Sequence, residues 1–131
     1  MSKSLIFSII ESAGHPNFSN LYHKMAYDEL KLTSVRRAIN ALKKQQPDVI
    51  IAQFLFSFST NYASNHISNL DSLIITLQKY PDYKPKFIFL VNKQDVQHIS
   101  QLTNHYNDFS SSHHALILPA TEAQMEKLLL I

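Results

Sequence analysis

The chain has 131 residues, of which 45% are hydrophobic and 17% charged, as in one ordinary globular domain with a real hydrophobic core. It contains no cysteine, which excludes disulfides, thiolate catalysis and cysteine metal sites. A net charge of +2 is too weak a bias to imply nucleic acid, and the single glycine, Gly14, excludes glycine-rich phosphate-binding loops.

The first apolar run covers residues 5–10 and follows a segment with one lysine. A secretory signal would continue into a cleavage site of small residues, and residues 11–16 make a poor one. No apolar run approaches the ~20 residues that a membrane span requires. We therefore predict a buried first strand, in a cytoplasmic protein that makes no membrane contact.

Helical and strand-like patterns alternate over the next third of the chain. The spacing i, i+3, i+4, i+7 predicts an amphipathic helix with an apolar stripe of Phe18, Leu21, Tyr22 and Met25. Residues 29–32 alternate between apolar and charged, which predicts a short strand at a sheet edge. Thr33 or Ser34 can then cap a second helix, which Pro47 stops. Its apolar face consists of Val35, Ala38, Ile39 and Leu42.

The middle of the chain contains a continuously apolar run, residues 49–52, typical of a central parallel strand. An aromatic segment, residues 54–58, follows it, and its phenylalanines either extend the strand into the core or form a patch for a partner. Ser68 and Asp71 have the spacing of a capping box for a third helix. The core side of that helix consists of Ile67, Leu70, Ile74 and Leu77.

Two more strand and helix pairs complete the chain. Residues 87–91 predict a fourth strand and residues 115–118 a fifth, shorter than the others. The fourth helix has a core side of Val96, Ile99, Leu102 and Tyr106. Thr121 and Gln124 have the spacing of a capping box, which opens a last helix that buries Met125, Leu128 and Leu129.

Five alternating strand and helix units predict an α/β fold with a parallel sheet covered by helices on both faces. The chain length suggests a doubly wound, five-stranded sheet with strand order 2-1-3-4-5. Because there is no linker, repeat or low-complexity tract, we expect residues 1–131 to form a single domain.

Three segments, in this order along the chain, resemble the receiver domain of two-component response regulators, which has a flavodoxin-like fold. Residues 40–53 read NALKKQQPDVIIAQ, similar to the receiver pattern ALxxLKxxxPDLVLLD. Residues 86–92 read KFIFLVN, similar to PVIxLTA. Residues 114–129 contain HALILPAT and then EKLL, similar to the receiver ending YLxKPxxxxELLxxI.

The resemblance implies where the family's phosphorylation chemistry would lie. Receivers use an aspartate as phosphoacceptor, further carboxylates for Mg²⁺, a lysine, a switch hydroxyl and a switch aromatic residue. The acidic pair falls on Glu11 and Ser12, and the phosphoacceptor falls on Gln53. The hydroxyl falls on Val91, the aromatic residue on Ala115, and the lysine on Leu118.

These departures predict that the phosphorylation site is lost. The amide at Gln53 cannot form an acyl phosphate, and one carboxylate does not bind Mg²⁺ tightly. We therefore expect a pseudo-receiver that is not an enzyme and needs no metal or cofactor. The alternative is a displaced acceptor, of which Asp48 is the nearest, although it precedes the third strand.

If catalysis is lost, binding of a protein partner remains. In receivers, the face made by the fourth helix, fifth strand and fifth helix carries dimerisation and output. The resemblance therefore implies a partner face around Gln97, Gln101, His114 and Gln124. The partner is another protein or a second copy of the chain, and neither nucleic acid nor a membrane.

A second hypothesis is a flavodoxin-like domain that binds a small molecule or a nucleotide and could form part of an enzyme. Its site would lie at the carboxyl ends of the strands, around Glu11, Ser12, Gln53, Asn92 and Ala120. Residues 92–95 read NKQD, which matches the guanine-recognition motif NKxD of small GTPases. No phosphate-binding loop accompanies the motif, and we prefer the interpretation that Asn92 caps the fourth helix.

Overall fold

The computed structural model describes residues 4–11, 17–56, 68–106 and 113–131. Five strands form one parallel sheet in the order β2-β1-β3-β4-β5, which confirms the predicted topology. The strands are β1 (Ser4–Ile9), β2 (Tyr27–Leu32), β3 (Val49–Gln53), β4 (Lys86–Asn92) and β5 (His113–Leu118). The helices of the described residues are α1 (Ser19–Lys24), α2 (Val35–Leu42), α3 (Asp71–Leu77), α4 (Ile99–His105) and α5 (Glu122–Leu130), with a short 3-10 helix (Val96–His98) before α4.

The sheet separates two hydrophobic clusters because side chains along a strand alternate between its faces. In β3, Ile50 and Ala52 join the cluster under α2, α3 and α4. Val49 and Ile51 join the cluster under α1 and α5. All of β3 is buried, as the continuously apolar run predicted, and burying each large aliphatic side chain contributes about 1.5–3 kcal/mol.

Two helices begin where their sequences predicted. Ser34, not Thr33, caps α2, because its Oγ accepts the N–H of Arg37 at 3.1 Å. At α5 the capping box is complete: Thr121 Oγ1 accepts the N–H of Gln124, and Gln124 Oε1 accepts the N–H of Thr121. Both caps satisfy backbone donors that have no partner inside the helix.

Strand ladders run further than side-chain alternation indicated. Tyr27 pairs with Ser4, so β2 begins two residues earlier than predicted. The prediction of a short fifth strand is wrong, since β5 pairs with β4 from His113 to Leu118 and is longer than β3. Backbone pairing decides the length of an edge strand, and polar residues such as histidine join it when their side chains reach solvent.

The starts of α3 and α4 differ from the predictions. α3 begins at Asp71 with Leu70 at the N-cap and no side-chain cap, and Ile67 lies outside the described residues. Asn92 is the last residue of β4, and its carbonyl accepts the N–H of Asp95 in a turn. The interpretation of Asn92 as a helix cap is therefore wrong, because the 3-10 helix between it and α4 moves the start of the helical segment to Val96.

No helix in the described ranges is long and apolar enough to cross a membrane.

Candidate functional site

The side chain of Gln53 connects two strands at the carboxyl edge of the sheet. Gln53 ends β3 and is only 4% exposed. Its Oε1 accepts the backbone N–H of Glu11, just beyond β1, at 3.0 Å. The residue in the phosphoacceptor position is thus a buried hydrogen-bond acceptor that joins β3 to the segment after β1.

Asn69 completes this connection. Its Nδ2 donates to Glu11 Oε1 at 2.6 Å and to the carbonyl of Gln53 at 2.8 Å. Its Oδ1 accepts the N–H of Leu55 at 2.8 Å, and its own N–H donates to the carbonyl of Leu55. Asn69 could not be recognised from the sequence, because an asparagine next to a helix start is read as a cap unless its long-range partners are known.

The described residues of this edge do not fit the Mg²⁺ that receivers bind. Mg²⁺ needs several oxygen ligands in an octahedral arrangement, most often with carboxylates among them. Glu11 is the carboxylate of the Gln53–Asn69 network, and Ser12 lies outside the described residues. Within the ranges that the structure covers, no three His, Cys, Asp or Glu side chains are grouped closely enough to hold a metal ion.

The other receiver positions carry apolar side chains. Val91, fully buried in β4, belongs to the core under α2, α3 and α4. Leu118 is half-buried against the other cluster, and its bond to Pro119 is cis. Ala115 is exposed on β5 opposite Phe89. None of the three supplies the cation, hydroxyl or ring that the family uses there.

Asp48, the alternative acceptor, lies at the amino-terminal ends of the strands, whereas Gln53 lies at their carboxyl ends. Its Oδ2 accepts the N–H of Leu5 at 2.8 Å, and its carbonyl accepts the N–H of Lys86. Both partners belong to the amino-terminal halves of β1 and β4. Asp48 therefore holds strand starts together, far along the strands from Gln53.

A second buried polar cluster connects α3 with the end of α4. Asp71 is 1% exposed, and its Oδ1 accepts the N–H of Ser68 at 2.6 Å and the Ser68 hydroxyl at 3.0 Å. Its Oδ2 accepts the Tyr106 hydroxyl at 2.7 Å. Burial, together with the hydrogen bond to Asp71, raises the pKa of Tyr106 above its ordinary value. The Ser68 and Asp71 pairing was expected as a capping box, and its real role is to anchor the segment before α3.

The aromatic segment after β3 packs inward in its described part. Phe54 is buried and makes an edge-on contact with Phe89, with ring centroids 6.1 Å apart. Phe56 is partly buried and stacks on His98, with centroids 3.6 Å apart. Leu55 between them is exposed, and Phe58 lies outside the described residues. The core interpretation therefore holds for Phe54 and Phe56.

The predicted partner residues surround the β5 edge. Gln97 and Gln101 are exposed, and Gln101 Nε2 lies 3.0 Å from His98 Nδ1. His114 is half-buried in β5, and Gln124 is exposed while its side chain serves the α5 cap. Their role in partner binding stays a prediction.

An apolar cleft at the same edge was not anticipated from the sequence. It has a volume of about 560 Å³ and lies between β5 and α5, where Ala115, Ile117, Leu128 and Ile131 line it. Ile117 is 44% exposed. Because an apolar residue in a strand pattern is normally assigned to the core, the exposure of Ile117 could be recognised only once its place on the edge strand β5 was known.

The alternative small-molecule site is only partly assembled. Glu11 and Gln53 are joined by a hydrogen bond, Asn92 is exposed at the end of β4, and Ala120 is half-buried. The oxygen of Gln53 that such a ligand would meet already accepts the Glu11 N–H.

Receiver domains are among the solved structures that resemble this chain. The chemotaxis protein CheY4 of Vibrio cholerae superposes with a TM-score of 0.69 at 12% identity over 98% of both chains. A CheY-like receiver domain from Methylobacillus flagellatus gives 0.67 at 16% identity over 98% of both chains. One from Clostridium thermocellum gives 0.65 at 14% identity, covering 97% of this chain and 91% of the other.

These likenesses establish a CheY-like receiver fold, with the five-stranded sheet order and helix placement of that class. No protein-family model and no curated protein sequence matches the chain. Sequence identities of 12–16% show the fold alone and leave the chemistry to be argued from the residues at the site.

Proposed function

We propose that the protein is a pseudo-receiver that regulates a signalling process by binding another protein and is not phosphorylated. The observation that carries the proposal is the side chain of Gln53, which stands in the phosphoacceptor position and whose Oε1 accepts the Glu11 N–H. A carboxamide is not a nucleophile toward phosphorus under physiological conditions, and Gln53 therefore supplies no nucleophile for receiver chemistry at this position.

The surrounding contacts support a site that keeps one conformation without phosphorylation. Asn69 supplies its two donors to Glu11 and to the carbonyl of Gln53, so protein groups make contacts at this edge without a phosphoryl group. In a receiver the phosphoryl group shifts the population between two conformations. Without a phosphoryl group that favours one conformation, the population of conformations is not shifted. The proposed partner therefore binds a constitutive surface.

Phosphotransfer tests the first part of this proposal. The native chain and the Gln53→Asp variant are incubated with acetyl phosphate and Mg²⁺, and the intact mass is measured. Neither should gain a stable phosphoryl group, because Leu118 supplies no cation to neutralise the phosphoryl charge and Val91 no hydroxyl. Phosphorylation of the native chain on any aspartate, Asp48 included, would contradict the proposal.

For the partner face we favour the apolar cleft between β5 and α5, which is lined by one of the predicted partner residues, Gln124. Exposed apolar surface beside polar residues is typical of protein contacts. Ile117 is one of the exposed apolar side chains that line the cleft.

A matched pair of variants tests this face. Ile117→Asp should abolish a specific partner contact or self-association, since it buries a charge at the contact. Ile75→Asp is the control, because Ile75 on α3 is exposed to a similar degree, 41% against 44%. The assignment would be contradicted if partner binding, or dimerisation measured by light scattering, were lost equally in both variants or in neither.

A further inference from the structure

A second groove lies at the other edge of the sheet, between β2 and α2, and has a volume of about 550 Å³. We call it the basic groove. From the strand side it is lined by Leu30, Lys31, Leu32 and Thr33. From α2 and the turn after it, the lining residues are Arg37, Asn40, Ala41, Lys44 and Gln45, at the spacing of one helix face.

The basic groove follows the open edge of β2. Successive side chains of a strand point to opposite faces, so a groove lined by four successive residues must run along the strand edge. Within the described residues β2 pairs only with β1. The carbonyl of Leu32 accepts the N–H of Ile10, and by alternation the N–H and C=O of Lys31 point away from β1. They are therefore placed to pair with another strand.

The charge of the groove is of one sign. Lys31, Arg37 and Lys44 line it, and no carboxylate does. Five of the twelve lysines and arginines of the chain, and none of its ten aspartates and glutamates, lie between positions 31 and 46. The remainder of the chain is therefore acidic overall, although the whole carries +2. The floor between the cations is apolar, from Leu30, Leu32 and Ala41.

We propose that the basic groove binds an extended acidic segment of a partner protein, which adds to β2 as a sixth strand. Its main chain pairs with the open edge at Lys31, its side chains on the α2 face contact Arg37, Lys44 and the apolar floor, and the alternate side chains lie on the face of Lys31. This site goes beyond the proposed function, lies at the opposite edge from the apolar cleft, and does not depend on the loss of phosphorylation.

Nucleic acid fits the groove less well than an acidic peptide. Single-stranded nucleic acid binds on aromatic rings on which its bases stack, and no aromatic residue lines this groove. Sequence-independent binding to phosphates would also call for a stronger overall charge than +2.

The test uses a fluorescent peptide of about eight residues in which glutamate and valine alternate, the length of a typical strand. Fluorescence polarisation gives the affinity, and amide NMR shifts of the full chain give the site. We expect binding that weakens with salt, with the largest shifts at Lys31, Arg37 and Lys44. The double variant Arg37→Glu/Lys44→Glu should bind about tenfold more weakly or worse.

Three controls make the test decisive. Arg36→Glu/Lys43→Glu changes the net charge by the same amount on the same helical segment but outside the groove lining, and should bind nearly as well as the native chain. A peptide N-methylated at alternate residues cannot pair along the strand and should not bind. A peptide with lysine in place of glutamate should not bind either.

Several results would overturn the proposal. Equal losses in the two double variants would show general charge attraction, and tight binding of the N-methylated peptide would exclude strand pairing. Absence of acidic-peptide binding would leave the lysine of β2 as a guard against aggregation at a sheet edge. A single-stranded oligonucleotide that binds more tightly than the peptide would assign the groove to nucleic acid instead.

Discussion

Gln53 occupies its position through the length and neutrality of its side chain. Its Oε1 reaches the N–H of Glu11, and Asn69 connects the same carboxylate to the carbonyl of Gln53. A carboxylate at position 53 would be buried close to the charge of Glu11, and the two would repel each other. The amide of Gln53 avoids this repulsion while it still accepts a hydrogen bond.

We predict that Gln53→Glu destabilises the fold by about 1–3 kcal/mol at neutral pH, because it buries a negative charge near that of the exposed Glu11. The loss should shrink in mild acid as the new carboxyl group becomes protonated. Urea unfolding measures both values. Gln46→Glu, at an exposed position, is the control and should stay within about 0.5 kcal/mol of the native protein.

At the scale of elements, helix ends are fixed by long-range contacts as well as by local caps. The carboxylate of Asp71 at the start of α3 accepts the hydroxyl of Tyr106 just after α4. The amine of Lys86 on β4 donates to the carbonyls of Leu128 and Leu129 near the end of α5, at 3.0 and 3.1 Å. The first contact joins two helix ends, and the second joins the start of a strand to a helix end.

Removal of the Tyr106 hydroxyl tests the first contact. Tyr106→Phe should cost about 1–3 kcal/mol in the free energy of unfolding, as expected for a hydrogen bond to a charged acceptor. It should also speed hydrogen exchange at the start of α3. Tyr80→Phe, at another half-buried tyrosine, should be close to neutral, and equal effects of the two variants would show that the contact with Asp71 is not stabilising.

Lys86→Met tests the second contact while keeping most of the side-chain length. It leaves carbonyls of the last turn of α5 without their cation, so we expect a loss of about 1–2 kcal/mol and faster amide exchange in that turn. Lys84→Met, at an exposed position in the preceding turn, should change neither. Unchanged exchange in α5 of the Lys86 variant would argue against the capping role.

At the scale of the whole molecule, sequence periodicity predicted the alternating strands and the faces of the helices, because the 3.6- and 2-residue periods report directly which side is buried. The number of strand and helix units and the chain length then predicted the strand order. It did not predict the full length of β5 or the late start of α4, which depend on ladder partners and on turn geometry. Nor could it find Asn69 or the exposure of Ile117, since both depend on contacts between distant segments.

Stability of the folded molecule should fall in alkali. Burial is the main cause that raises the pKa of Tyr22, Tyr83 and Tyr106 above the ordinary value of 10.0, with Glu29, Asp48 and Asp71 adding to it. The unfolded chain therefore loses these protons first, so their contribution is complete below about pH 10 and is lost as the pH rises further. Urea unfolding between about pH 8 and pH 11 should show this decline, and a constant free energy would contradict it.

The most direct test of the central claim is an NMR titration of the native chain with beryllofluoride and Mg²⁺, a stable mimic of the phosphoryl group on an aspartate. Because Gln53 supplies no carboxylate, we predict no saturable shifts at Glu11, Gln53, Asn69 or Asn92. Saturable, stoichiometric shifts at these residues would show a working phosphorylation site and would contradict the assignment as a pseudo-receiver.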